Sequence, residues 1–268
     1  MRTSVYRRLS HLVADTRSSV PFYRHLYAGH GPVRSLNKFK DLPIVTEPIY
    51  SAGNLSDKLS SKASICLGRT VTDFGGAGHV PRLLSYDDVI REHDVLHWFL
   101  QFMGESRRRN KLLIVATEGY RYCLAELGKM LAFYEWPLAA MTYKDFKRTE
   151  KLVDLFAPTF VALDSEANAT NLPASTRSVL RLEQNPSRYG KADNRNFGVL
   201  FGRLIGNFAI RQGCQSIYSY NEDHFYLESN HDGQILLTSF VHRLQPLIRL
   251  ALPLSGRTFS GGRLLCES

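Results

Sequence analysis

Between residues 111 and 183 short apolar runs alternate with longer segments of helical period. KLLIVA (111–116), PLAAMTY (137–143), TFVALD (159–164) and SVLRLE (178–183) are short, apolar and bounded by polar residues, which predicts buried strands. YRYCLAELGKMLAFY (120–134) and YKDFKRTEKLVDLF (143–156) repeat apolar residues three and four apart and are predicted to be helices. Strand–helix alternation of this kind predicts βαβ units, hence an α/β fold with a largely parallel sheet and flanking helices. Ligands of such sheets bind beyond the C-terminal ends of the strands.

The flanking regions read differently. Leu9, Leu12 and Val13 mark one apolar face, and residues 3–27 predict two short helices broken near Pro21. Thr46 is a predicted N-cap, with Glu47 in the first turn and Pro48 behind it. From Ile65 to Phe74 the chain leans towards β and enters a glycine-rich stretch, DFGGAGHVP (73–81). Ser85 with Asp88 three residues on is a capping signal for a helix carrying Val89, Val95, Leu96, Phe99 and Leu100 to about Met103. After residue 196 two β-rich runs flank Asn230-His231-Asp232-Gly233, which predicts a C-terminal antiparallel hairpin. The polar stretch NPSRYGKADNRN (185–196) marks a possible subdomain change within a single domain spanning 1–268.

Composition narrows the classes. An apolar share of 44% with 22% charged residues is ordinary for a globular chain of 268 residues. No apolar run reaches the ~18–20 residues of a membrane span. The N-terminus MRTSVYRRLSHLVADTR lacks an apolar signal core, so the expected compartment is the cytoplasm. Cys66, Cys123, Cys214 and Cys266 are scattered without a C-x-x-C pair, against a disulfide framework or a cysteine zinc site. The net charge of +9 fits an anionic partner, but Arg107-Arg108-Arg109 is the one tight cluster and lies in a polar connection. Nucleic-acid motifs are absent, so nucleic acid is an unlikely partner.

Three stretches carry a family resemblance. YSYNEDHFYLESNHDGQILLTSFVHRLQPLIR (218–249) resembles the phenylacetate–CoA ligase branch of the adenylate-forming (acyl-CoA synthetase) superfamily, where N-E-D-H-F-Y-x-E, a turn, a strand ending in T-S and Q-P-L-I-R-Y follow one another. VPFYRHLYAG (20–29) and KFKDLPIVTEPIY (38–50) are similar to that family's opening. The resemblance implies the fold of the large N-terminal ligase domain. It also implies a reaction in which ATP and Mg²⁺ activate a carboxylic acid as an acyl-adenylate, whose acyl group passes to coenzyme A.

The functional positions that the resemblance implies are altered. The phosphate loop S-S-G-T-T-G-x-P falls on Asp73 to Val80: Gly75 and Gly78 are kept, Gly76 lies between them, and the hydroxyl residues are gone. Y-G-x-T-E falls on Phe201 to Ile205, keeping Gly202 but placing Ile205 at the metal-binding glutamate and Leu204 at the threonine. R-Y-R-T-G-D falls on Arg249 to Leu254, keeping Arg249 and placing Leu254 at the ribose-binding aspartate. The chain stops at Ser268, before the lid domain that carries the family's catalytic lysine. Gly75, Gly76, Gly78, Gly202 and Arg249 are therefore vestigial nucleotide-binding candidates, and ATP, Mg²⁺ and coenzyme A are not expected as cofactors.

His79 and Arg82 could hold an anion in the altered loop, or be incidental polar residues of an exposed loop. Glu118 follows a strand end where α/β proteins hold ligands, but suits a helix N-terminus equally. Asn221-Glu222-Asp223-His224 opens the hairpin and reads as structural. Some family members use cysteines near Cys214 for a structural metal; its companion thiols are missing here. No G-x-S-x-G elbow is present. The expected function is a non-catalytic binding, scaffolding or regulatory protein whose partner is a full-length ligase, a carrier protein, or a small acyl or nucleotide ligand. The alternatives are a residual acyl-adenylate or acyl-CoA enzyme completed by another chain, and a basic nucleic-acid module.

Overall fold

The fold is described from a computed structural model over residues 2–62, 66–67, 83–106, 109–117, 134–163, 172–183, 195–202 and 204–267. The chain divides into two compact units. The first takes the described residues of Met1–Thr70, Val80–Glu92 and Asn221–Leu264, and the second those of Val71–His79, His93–Tyr220 and Leu265–Ser268.

In the first unit, α1 (Arg2–Ser19) and α2 (Pro21–Leu26) are separated at Val20, with Pro21 at the first helical position where its missing N–H costs nothing. Two short helices follow, α3 (Leu36–Lys40), capped by Ser35, and α4 (Glu47–Ser51), capped by Thr46, whose side chain accepts from Ile49 N at 3.4 Å. Strands β1 (Cys66–Leu67) and β2 (Leu84–Ser85) pair antiparallel. Helix α5 (Tyr86–Phe102) begins with the predicted capping box, Ser85 N donating to Asp88 Oδ2 at 2.9 Å and Asp88 N to Ser85 Oγ at 3.2 Å. The predicted hairpin is present as β10 (Phe225–Ser229) and β11 (Gln234–Ser239), in register from Phe225↔Ser239 to Ser229↔Ile235. Its turn closes on Asn230, whose Oδ1 accepts from Asp232 N and Gln234 N, and on Gly233 at φ 77°. Strand β12 (Leu250–Phe259) pairs antiparallel with β11 through a bulge. Buried Tyr23 and Tyr50 both donate to Pro246 O, so the helices grip the segment leading into β12.

The second unit holds the predicted α/β body. Strands β3 (Leu112–Ala116), β4 (Leu138–Thr142), β5 (Phe160–Leu163), β6 (Ser178–Glu183) and β7 (Asn196–Gly202) lie in the order β4-β3-β5-β6-β7, every neighbour parallel. β8 (Gly206–Gln212) and β9 (Ile217–Ser219) continue this sheet antiparallel. On one face Leu113, Val115, Val161, Leu163 and Val179 pack with Phe146 and Val153 from the crossover segment. That segment departs from the prediction: it forms two helices, Tyr143–Arg148 and Glu150–Phe156, rather than one. Thr149 separates them because its Oγ1 bonds back to Asp145 O at 2.7 Å, and its backbone leaves the helical region at φ −116°, ψ 23°. All of the predicted helix 120–134 but Tyr134, and most of the polar stretch 185–196, lie outside the described residues.

Candidate functional site

The strand order of the second unit locates a switch point. The chain leaves β3 for β4 on one side, then returns to β5 on the other, so the crevice favoured by ligands opens beyond Ala116 and Leu163. Thr117 follows β3 directly, and the next residue, Glu118, lies outside the described residues. So do Gly75, Gly76, Gly78, His79 and Arg82, together with Asp73.

Gly202 closes β7 at the mouth of the β7–β8 hairpin, paired with Gly206. Ile205 N donates to Gly202 O at 3.1 Å, and its side chain lies over Gly202 so closely that a Cβ there would meet Ile205 Cδ1 at 2.9 Å. Leu204 and Ile205 are 4% and 2% exposed. Both side chains are therefore core, and Ile205 packs directly on Gly202.

A polar cluster that the sequence reading did not single out lies two strands deep. Glu183 ends β6, and Arg211 of β8 grips its carboxylate with both forks, Nε at 3.0 Å from Oε2 and Nη2 at 2.6 Å from Oε1. Tyr218 of β9 donates to Glu183 Oε2, and Arg211 Nη1 donates to Gln215 O at 2.8 Å. The pair is buried, Arg211 4% and Glu183 1% exposed. Burial works against the charge of Arg211, but the hydrogen bonds and charge of Glu183 outweigh it and raise its pKa. Burial, and then the neighbouring Glu183 carboxylate, hold Tyr218 far above the ordinary phenol range. Strand β7 passes between: a Cβ on Gly198 would stand 2.5 Å from Glu183 Oε2. An isolated glycine in an apolar strand is the sequence signal of such a close approach.

The two described cysteines of this unit differ. Burial pushes the Cys266 thiol up to about 12, whereas Cys214 is exposed. Because the thiolate is the nucleophile, alkylation of the native protein with iodoacetamide followed by peptide mapping is expected to modify Cys214 and leave Cys266 unmodified until denaturant is added. Modification of Cys266 at a similar rate would contradict this placement.

In the first unit Arg249 is 6% exposed and already engaged. Its Nε donates to Glu228 Oε1 at 2.7 Å and its Nη1 to Leu42 O, while its backbone, at φ 51°, accepts from Val45 N. The guanidinium thus ties the 42–45 segment to the hairpin. The polar turn 221–224 is likewise held, Arg8 donating to Glu222 O, Asp223 O and Asp223 Oδ1 while its guanidinium stacks 4.0 Å over the Phe240 ring.

Helix α5 carries two carboxylates one turn apart that hold the 239–244 turn. Buried Asp88 accepts from Arg243 N at 2.6 Å and Leu244 N at 3.1 Å, besides Ser85 N. His242 lies with Nε2 3.0 Å from Glu92 Oε1 and Nδ1 2.8 Å from Ser239 Oγ. A Ser–His–Glu chain suggests a nucleophile, yet Ser239 is fully buried and its Oγ already accepts from Val241 N and His242 N. With Ser239 and His242 sealed from solvent, the chain ties the 239–244 turn to α5. Among the described residues no group of three His, Cys, Asp or Glu side chains could hold a metal ion, and no helix is long and apolar enough to cross a membrane.

No protein-family model matches this chain, and no curated protein sequence does. Solved structures do. A 2-hydroxyisobutyryl-CoA ligase with 2-HIB-AMP and CoA, in the thioesterification state, superposes with a TM-score of 0.73 at 13% identity. That likeness covers 97% of this chain and 65% of the ligase, so the chain spans just under two thirds of its length. An open conformation of the same ligase gives a TM-score of 0.74 at 14% identity, covering 99% of this chain and 73% of that one. The α/β fold expected from the strand–helix alternation is therefore present, and it is the fold shared with these CoA ligases.

Proposed function

We propose that this chain is a phenylacetate–CoA ligase-like member of the adenylate-forming superfamily that binds a partner or ligand and does not itself form an acyl adenylate. The fold shared with 2-hydroxyisobutyryl-CoA ligase supports the ancestry. The observation that carries the loss of chemistry is the β7–β8 hairpin. The resemblance puts a metal-binding glutamate at Ile205, but this side chain has no donor atom, is 2% exposed and packs on Gly202. Mg²⁺ takes oxygen ligands in near-octahedral geometry, and neither Ile205 nor Leu204 offers a side-chain oxygen. These positions do not fit the metal. Arg249 supports the same reading, since its guanidinium is spent on Glu228 and Leu42 O.

The retained scaffold then serves recognition. A full-length ligase or a carrier protein is the partner class we favour, with a small acyl or nucleotide ligand as the alternative occupant, and the cytoplasm as the place of action. The decisive experiment is ATP–pyrophosphate exchange by the purified chain across aryl and fatty acids, with calorimetric titration of ATP and Mg²⁺. Exchange at background level is the expected result. Mg²⁺-dependent exchange by the chain alone would overturn the proposal.

A further inference from the structure

The first unit contains a pocket on which none of the foregoing depends. Helix α2 and the segment Ala52–Lys58 line an open pocket of about 380 Å³, within the ~300–1,000 Å³ range of small-molecule sites. Its walls are apolar, formed by Phe22, Leu26 and Ala52, and its rim carries His25, Asn54 and Asp57. Phe22 is fixed edge-on against Tyr50 with ring centres 5.5 Å apart, so that wall is preformed.

Lys58 is the unusual member. The residue is 4% exposed, and its Nζ has one hydrogen-bond acceptor, Gly53 O at 3.3 Å. It also lies over the Tyr50 ring, 5.8 Å from Nζ to the centroid, a cation–π contact at the long end of the range. An ammonium has three donors, so among the described residues two of them have no hydrogen-bond acceptor at the edge of this cavity. Burial lowers the pKa of Lys58, and the charge of Asp57 offsets only part of that lowering. Asp57 is exposed, so solvent screens its charge. A dianion would face one buried cation and this rim carboxylate together, whereas a single negative charge matches the single ammonium. The apolar walls require that the charge sit at one end of a compact hydrocarbon body.

We propose that this pocket binds a small monocarboxylate, its carboxylate on Lys58 Nζ and its apolar body against Phe22, Leu26 and Ala52. The inference is independent of the lost-ligase reading, because neither its residues nor its readout enter the exchange assay. Benzoate is the probe, followed by calorimetry and by heteronuclear NMR shifts, with benzyl alcohol as the neutral isostere. Saturable shifts on Leu26, Ala52 and Gly53 are expected, with benzyl alcohol and Lys58→Met each weakening binding about tenfold or more, as loss of a charge-assisted bond requires. Binding should also fade with rising pH earlier than an ordinary lysine would allow, since burial lowers the Lys58 pKa. Ala52→Trp fills the cavity from an exposed position and is expected to abolish binding even if the lysine variant fails to fold. Equal affinity for benzyl alcohol, unchanged binding in Lys58→Met or Ala52→Trp, or no saturable shift at tens of millimolar benzoate would each overturn the proposal.

Discussion

Glu183→Ala is expected to destabilise the second unit by about 3–5 kcal/mol, the cost of leaving one member of a buried ion pair without its partner. The geometry puts the effect at the upper end. Both Arg211 forks, and the Tyr218 hydroxyl as well, converge on this one carboxylate inside the sheet. Its removal strands a guanidinium that is 4% exposed and retains only Gln215 O among these bonds. The measurement is urea unfolding followed by far-UV circular dichroism, with Arg211→Met and the double variant Glu183→Leu/Arg211→Met beside it. Removing both charges together is expected to recover much of the loss, because no uncompensated charge remains. A Glu183→Ala midpoint equal to that of the parent would mean that water already solvates the pair.

The same cluster shows what a sequence can and cannot disclose. Gly198 left a trace, a glycine between Phe197 and Val199 in the apolar interior of β7, and the structure gives the reason: Glu183 fills the space where a Cβ would stand. The partners left none. Glu183 and Arg211 are 28 residues apart, and in the sequence each is one charged residue at the edge of an apolar run. Local periodicity settles how a strand is buried, but it holds no information about which distant strand will bring a counter-charge.

That distinction runs through the whole chain. Strands β3, β5 and β6 and the hairpin β10–β11 were legible because burial of a short strand imposes its pattern on neighbouring residues. The break at Thr149 was not, since apolar period continues across it and only a threonine hydroxyl turning back to Asp145 O divides the helix. At the candidate site the family resemblance implies a metal-ligand position at Ile205, and the hairpin shows that residue packed as core. Arg249 was legible as a retained residue but not as a buried one, because Glu228 reaches it from 21 residues away. Lys58 carried no pattern at all; its place beside a pocket follows from how α2 meets the turn after α4.

Asp88 combines both kinds of information, and its replacement is the second large effect expected. The sequence shows half of its role, the capping box with Ser85, worth about 1 kcal/mol. The other half is long-range: the same carboxylate accepts from Arg243 N and Leu244 N, more than 150 residues away. Asp88→Ala leaves these amides without that acceptor, Leu244 N in a buried setting and Arg243 N in a partly buried one. Adding ~1–3 kcal/mol for a buried donor left unsatisfied to the lost cap gives an expected destabilisation of about 3 kcal/mol. Asp88→Asn keeps one acceptor oxygen and sets an NH₂ against the remaining N–H groups, so it is expected to recover only part of the loss. Amide hydrogen exchange separates the two roles. Loss of the cap alone would speed exchange at the start of α5, whereas loss of the tie should also deprotect Arg243 and Leu244. Unchanged protection at those two amides in Asp88→Ala would show that the tie contributes nothing, because their partner would then be replaceable by water.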